Sequence, residues 1–383
     1  MKTYFSSPFK LGVLGGGQLG RMLLRESIKF DVQTYILDPS SDAPCRDYCN
    51  HFVQGDLMDF DTVYNFGKQV DVLTIEIEHV NIDALEKLAD EGLKVYPQPE
   101  VLRVIQDKGL QKDFYAKNNL ATAPYQRFSS KSEFQTISKN KEFPFIWKAG
   151  QFGYDGQGVK VIRNQKDIDS MPDVSGILED MIPFKNELAV IVARNAKGEV
   201  AYYPVVEMEF HPEANQVEYV ICPARIDQNV AEKAIALALK TAKTFNHVGL
   251  LAVEMFQTED DELLINEVAP RTHNSGHQSI EGSYTSQFEQ HLRAVLDLPL
   301  GSGKSKCPSV MVNLVGAEGY KGPVIYDGLD EILAIEGVTP HIYGKKEMKP
   351  FRKMGHVTVI ADDIESARKK AEIVKNKIKV ISK

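Results

Sequence analysis

Residues Leu251–His277 read LAVEMFQTEDDELLINEVAPRTHNSGH, and this stretch decides the fold. Two apolar runs, Leu251–Phe256 and Leu263–Val268, flank an acidic turn sequence, which is the pattern of an antiparallel hairpin. A tight turn centred on Asp260-Asp261 places Glu254 directly opposite Glu267. Like charges at that separation repel, and apolar neighbours, Val253 and Val268 among them, flank both. A cation between the two carboxylates reverses the sign of the interaction. Carboxylate oxygens suit Mg²⁺, which also takes phosphate oxygens. A solvated acidic strand face is the alternative. Asn266 adds one more oxygen, although strand alternation starts its side chain on the face opposite Glu267. The polar loop Pro270–His277, leaving the second strand, is placed to hold a substrate, or plainly to cap a helix.

Upstream, Phe145-Ile-Trp-Lys148 ends an apolar strand on a lysine. Gly150-Gln-Phe-Gly153-Tyr-Asp-Gly156-Gln-Gly158 follows, four glycines whose backbone N–H groups can close over phosphates. The spacing is not that of a P-loop, and a plain hairpin turn is the other reading. Between Ile177 and Glu187 an apolar strand runs into a linker whose backbone can pair with an adenine edge, with Glu187 able to accept from ribose hydroxyls. A solvated linker fits equally well.

The first ~100 residues alternate strand and helix, which argues for a parallel sheet with crossover helices. Gly15-Gly16-Gly17-Gln18-Leu19-Gly20 sits between a strand and a helix, with Asp38 at the end of the next strand. Glycines admit a phosphate to the backbone, and a helix N-terminus favours an anion. A dinucleotide, another anionic ligand and simple packing all remain open there. The middle of the chain mixes antiparallel strands, Leu188–Ala193 and Ala201–Glu209 among them, with the helix Val230–Phe245, an α+β pattern. The tail is strand-rich, with candidates at Val310–Val315, Glu331–Ile335 and His356–Ile360 and a closing helix at Glu365–Lys377. Its cations cluster in Tyr343-Gly-Lys345-Lys346 and Phe351-Arg352-Lys353-Met-Gly355-His356, which suit a phosphate monoester. Solvated surface lysines are the alternative.

A chain of 383 residues suggests two or three domains. A net charge of −8 argues against a dominant nucleic-acid surface. Neither a signal-peptide pattern nor an apolar run of membrane-spanning length occurs, so no membrane partner and a cytoplasmic setting are expected. Cys45, Cys49, Cys222 and Cys307 have the spacing of neither a zinc site nor a disulfide framework.

Taken in order, Gly16–Gly20, Glu76-Ile-Glu78, Gly153-Tyr-Asp-Gly156, Asn266-Glu-Val-Ala-Pro-Arg271, His273-Asn-Ser-Gly-His277 and Arg352-Lys-Met-Gly-His356 resemble the N5-carboxyaminoimidazole ribonucleotide synthetases over nearly the whole chain. The resemblance implies a Rossmann-like N-terminal domain (1–104), an ATP-grasp core (105–300) and a small β-rich C-terminal domain (301–383). It implies a homodimer, and ATP-dependent carboxylation of 5-aminoimidazole ribonucleotide by bicarbonate through carboxyphosphate, with Mg²⁺. Carried over residue by residue, Lys108 and Lys148 would meet ATP phosphates. Gly153, Tyr154, Asp155, Gly156, Gln157, Gly158 and Val159 would cover them. Glu179, Asp180, Met181 and Ile182 would meet adenine, and Glu187 the ribose. Glu254 and Glu267 would hold the metal, with Asn266 beside them. Gln18, Leu19, Glu76, Tyr154, Asp155, His273, Asn274, Lys345, Arg352 and Lys353 would line the ribonucleotide site. Asp155, His273 and Arg271 would serve the chemistry. Lys108 stands where the family often has arginine, and Met208-Glu-Phe-His211 differs in length from many members. Formate-dependent glycinamide ribonucleotide transformylase, an NAD-dependent oxidoreductase and a non-catalytic nucleotide sensor are the rival readings.

Overall fold

The computed structural model describes residues 8–151, 158–211 and 216–383. The N-terminal region contains β1 (Lys10–Leu14), α1 (Gln18–Ile28), β2 (Gln33–Asp38), β3 (His51–Gln54), α2 (Phe60–Gly67), β4 (Val72–Ile75), α3 (Ile82–Asp90) and β5 (Lys94–Tyr96). These strands form a parallel five-stranded sheet in the order β3-β2-β1-β4-β5. All of β4 and all but the first residue of β1 are buried, as expected of central strands covered on both faces, whereas the edge strand β3 is not. The bridging helices α4 (Pro99–Gln106) and α5 (Lys108–Lys117) follow. The sequence reading missed α4, although proline at its first position is a helix-start signal.

A four-stranded antiparallel sheet comes next, built from β6 (Tyr125–Phe128), β7 (Phe145–Ala149), β8 (Val159–Ile162) and β9 (Gly176–Asp180) in the order β6-β9-β7-β8, with α6 (Lys131–Ser138) and α7 (Gln165–Ser170) between its strands. Gly176 is required where β9 crosses β7: a Cβ there would lie 2.2 Å from the Lys148 carbonyl oxygen. Gly176→Ala is expected to cost about 2 kcal/mol or more, because backbone and not a side-chain tip must yield. An unchanged denaturation midpoint for that variant would contradict this packing.

The remaining chain builds one large sheet and two small two-stranded ones, the latter pairing Gly322–Pro323 with Glu347–Met348 and Ile325–Asp327 with Lys379–Ile381. The large sheet's first strands are β10 (Phe184–Arg194), β11 (Val200–Tyr202), β12 (Val206–Phe210), β13 (Val217–Cys222), β14 (Gly249–Thr258) and β15 (Leu263–Ala269), with α8 (Gln228–Phe245) lying against β10, β14 and β15. The short α9 (Ser279–Gly282) and α10 (Gln287–Val295) lead to β16 (Ser309–Val315), β17 (Gly322–Pro323), β18 (Ile325–Asp327), α11 (Leu329–Leu333), β19 (Val338–Ile342), β20 (Glu347–Met348), β21 (Lys353–Ile360), α12 (Ile364–Lys377) and β22 (Lys379–Ile381). The order β15-β14-β10-β12-β13-β16-β21-β19, with β11 beside β10, carries the C-terminal strands into the same sheet. The join is Tyr219↔Val312 to Cys222↔Ser309.

Two expected strands differ. Ala201–Glu209 is split into β11 and β12 around Pro204, which lacks the N–H a ladder needs. Glu331–Ile335 lies in and after a helix, α11, which places Leu329 and Ile332 on one face and follows Gly328 at φ +81°. Among the described residues no helix is long and apolar enough to cross a membrane.

Candidate active site

The hairpin of β14 and β15 sets the site. Its turn is one residue longer than the sequence suggests: Thr258 N–H donates to the Glu262 carbonyl at 2.9 Å, and Asp261 takes φ +60°. Near the turn Gln257 therefore faces Leu263, and Met255 faces Ile265. Asn266 is then an extra residue in β15, and beyond it Glu254 faces Glu267. The expected glutamate pair is present, reached through a β-bulge. The bulge also corrects the expectation for Asn266. A regular strand would turn it away from Glu267, but here its Oδ1 accepts from Lys148 Nζ at 3.0 Å. Bulges re-aim side chains in this way.

Three lysines converge on Glu267, Asn266 and Glu179. Lys108 opens α5 and reaches Glu267 Oε2 at 2.5 Å, while its backbone N–H holds the Gly150 carbonyl at 2.8 Å. Lys148, near the end of β7, reaches Glu179 Oε2 at 2.6 Å. Lys112, one turn after Lys108 and unnoticed in the sequence, pairs with the other Glu179 oxygen. The Glu179 side chain is thus buried between two ammonium groups. Asp180 pairs with Lys141 at 2.5 Å, and Met181 in the linker and Phe184 at the start of β10 leave apolar surface exposed.

The charge balance differs along the cluster. The Lys108 ammonium holds the Glu267 carboxyl well below the usual range. Burial, then the charges of Glu267 and Glu187, push Glu254 up. Burial and Glu267 push Glu187 up to about 7. Glu254 and Glu187 thus lack compensation that a cation would supply, and the all-oxygen donor set fits a hard divalent ion. Among the described residues no group of three or more His, Cys, Asp or Glu is arranged to hold a metal. A cation here would take its other ligands from a bound anion.

The loop after β15 is pinned on all sides. His273 Nε2 lies 3.4 Å from Glu254 Oε1. Gln287 accepts from the His273 N–H at 2.8 Å and donates to its carbonyl at 2.7 Å. Asn274 and Asn313 exchange amide hydrogen bonds at 2.9 and 3.0 Å. Arg271 Nε lies 2.8 Å from Glu78 Oε2.

At the first glycine turn, Glu76 Oε1 accepts from Leu19 N–H at 3.0 Å. Asp38 Oδ2 accepts from Gly16 N–H at 2.7 Å. A Cβ on Gly17 would lie 2.6 Å from Glu76 Oε1. Both marks of a dinucleotide fingerprint, the free helix N-terminus and the ribose-binding acid, are used internally. Neither is open to a dinucleotide. Gln18 and Leu19 open α1 beside this carboxylate.

Arg21, further along α1 and also unnoticed, donates to the Tyr343 carbonyl at 3.3 Å, and the basic tail loop lies over it. Lys345 Nζ donates to the Lys353 carbonyl at 2.8 Å, Arg352 donates to the Glu347 carbonyl at 2.6 Å, and Lys346 pairs with Asp42 at 2.5 Å. Gly158 takes φ +87°, and Val159 is exposed. Gly153, Tyr154, Asp155, Gly156 and Gln157 lie outside the described residues. His211 follows β12, its N–H bound to the Gln216 carbonyl at 2.8 Å.

Residues 9–106 match the ribonucleotide synthetase preATP-grasp domain, 113–288 the ATP-grasp domain, and 309–370 the phosphoribosylaminoimidazole carboxylase C-terminal domain. The chain is 37% identical to the N5-carboxyaminoimidazole ribonucleotide synthase of Bacillus subtilis, over 91% of this chain and 90% of that protein. It is also 37% identical to the chloroplast phosphoribosylaminoimidazole carboxylase of Vigna aconitifolia, matching 93% of this chain but only 65% of that longer protein, less than two thirds of its length. The crystal structure of the Aspergillus clavatus N5-carboxyaminoimidazole synthase with ADP and 5-aminoimidazole ribonucleotide superposes with a TM-score of 0.88 at 34% identity, covering 98% of this chain and 99% of that one.

Proposed function

The chain belongs to the N5-carboxyaminoimidazole ribonucleotide synthase family, and from that premise we propose that it carboxylates 5-aminoimidazole ribonucleotide with bicarbonate at the expense of ATP, in purine biosynthesis. The observation that carries the proposal is the convergence of Glu254, Glu267 and Asn266 with Lys108 and Lys148. Phosphoryl transfer needs this kind of charge neutralisation around the nucleotide. The γ-phosphoryl group of ATP passes to a bicarbonate oxygen, giving ADP and carboxyphosphate. The exocyclic amine then takes the carboxyl group as CO₂, phosphate leaves, and the amine loses a proton.

Lys108 and Lys148 balance the phosphate charge. Glu254 and Glu267 would hold Mg²⁺, which when bound draws charge from the phosphate oxygens. The backbone of Glu179 to Ile182 takes adenine, and Glu187 the ribose. The glycine loop, including Gly153 to Val159, excludes the water that would hydrolyse carboxyphosphate. Arg271, oriented by Glu78, meets the anionic intermediate. His273 and Asp155 serve the carboxyl transfer. Gln18, Leu19, Glu76, Tyr154 and Asn274 take the aminoimidazole and ribose, and Lys345, Arg352 and Lys353 the 5′-phosphate. A homodimer in the cytoplasm completes the proposal.

The test is phosphate release with and without aminoimidazole ribonucleotide and bicarbonate. Stimulation by glycinamide ribonucleotide plus formate, and none by aminoimidazole ribonucleotide, would overturn it. Arg352→Ala is expected to raise the ribonucleotide KM about 10- to 100-fold, with kcat within a few fold. An unchanged KM counts against the phosphate role.

A further inference from the structure

Lys112 is 1% exposed, and a lysine that deep is retained only with partners. Its ammonium pairs with one oxygen of Glu179 and donates to Thr122 Oγ1. The other Glu179 oxygen holds Lys148 at 2.6 Å. Thr122 Oγ1 donates in turn to the Ile265 carbonyl at 2.7 Å, and Ile265 N–H donates to the Ala121 carbonyl at 2.8 Å. Ile265 is the residue immediately before the Asn266 bulge. Lys112 therefore touches the carboxylate that orients Lys148 and, through Thr122, supports the strand segment that aims Asn266.

We infer that Lys112 is a positioning residue for the nucleotide site, dividing the Glu179 charge with Lys148 and bracing the bulge from behind. The inference rests on the reading that Lys148 meets nucleotide phosphate. With both lysines present, one carboxylate serves two cations, and Lys148 is left charge to offer an incoming phosphate. Remove the Lys112 charge, and Glu179 has Lys148 alone. The buried ion pair then tightens, and Lys148 is held back from the ligand. A cation that never reaches the nucleotide thus governs how well another does. Burial draws the Lys112 ammonium down to about 8, against the pull of Glu179, as expected where solvent contributes nothing.

The test compares Lys112→Met, Lys112→Met/Glu179→Gln and the wild type for Mg·ADP binding and for separate KM values. Lys112→Met is expected to weaken Mg·ADP binding at least about tenfold and to raise the ATP KM, with the ribonucleotide KM unmoved. In the double variant a neutral amide no longer captures Lys148, and most of the nucleotide affinity returns. A purely structural lysine would lower the melting temperature and leave the ATP-to-ribonucleotide KM ratio alone. Wild-type ADP affinity in Lys112→Met overturns the inference, as does a double variant no better than the single one. If Lys112→Met does not fold, the double variant decides: a tenfold or greater loss of ADP affinity in it overturns the inference. These readouts need no ribonucleotide turnover. Wild-type protein that binds Mg·ADP but releases no phosphate with aminoimidazole ribonucleotide would sink the proposed function and not the role of Lys112.

Discussion

Glu267→Gln is expected to lower ribonucleotide-dependent phosphate release by about 10²- to 10³-fold while the protein stays folded. That magnitude is typical when one preorganised electrostatic group is lost from a transition state. The substitution keeps shape and one oxygen but removes the charge. Glu267 is the anionic member of its pair, because Lys108 at 2.5 Å stabilises its carboxylate. Burial first, and then its charge, pushes Glu254 and Glu187 up. Stability and activity should therefore separate. Removing the charge relieves repulsion with Glu254 and Glu187 but takes the partner from Lys108, and these effects oppose, so the melting temperature should change little, while the proposed place for a divalent cation is lost. Phosphate release within tenfold of wild type would contradict the metal role. A collapse in melting temperature would contradict the charge balance.

Local pattern made much of this arrangement legible. The expected tail strands Val310–Val315 and His356–Ile360 fall within β16 and β21, because short apolar segments between turn residues have little other use. The Glu254–Glu267 pair was legible for a partly accidental reason. A longer turn and an inserted Asn266 each shift the register by one residue, and the shifts cancel at the glutamates. Turn length and bulge are decided by packing, and neither is written in periodicity. Lys112 was hidden differently. In a charged amphipathic helix it reads as a solvated lysine, and only β9, brought in by the tertiary fold, supplies the acid that buries it. Glu76 is similar: nothing near the glycine turn announces that a carboxylate 57 residues away occupies its amides. The α11 segment was misread because a single turn of helix and a short strand bury their apolar residues in patterns too brief to tell apart.

Lys148→Met should weaken Mg·ADP binding by about 10- to 100-fold, the loss expected when one charged hydrogen bond is removed. Three features support the size and specificity of the effect. Lys148 is only 8% exposed, so water cannot replace its ammonium. Methionine keeps the apolar stem that packs in β7, so what is lost is charge. Glu179 keeps Lys112 as a partner, so no buried carboxylate is stranded, and folding survives where removing both cations would cost several kcal/mol. The affinity for aminoimidazole ribonucleotide should remain, since Lys345, Arg352 and Lys353 are held by the strand-loop segment at the end of the chain and not by β7. The decisive comparison is with the second substitution. Glu179→Gln should not restore ADP binding to Lys148→Met, because there the cation itself is gone rather than captured. Calorimetric titration of ADP with Mg²⁺ into both variants checks this. Full affinity in Lys148→Met would remove β7 from the nucleotide site, and restoration by Glu179→Gln would mean that the glutamate, and not the lysine, sets the affinity.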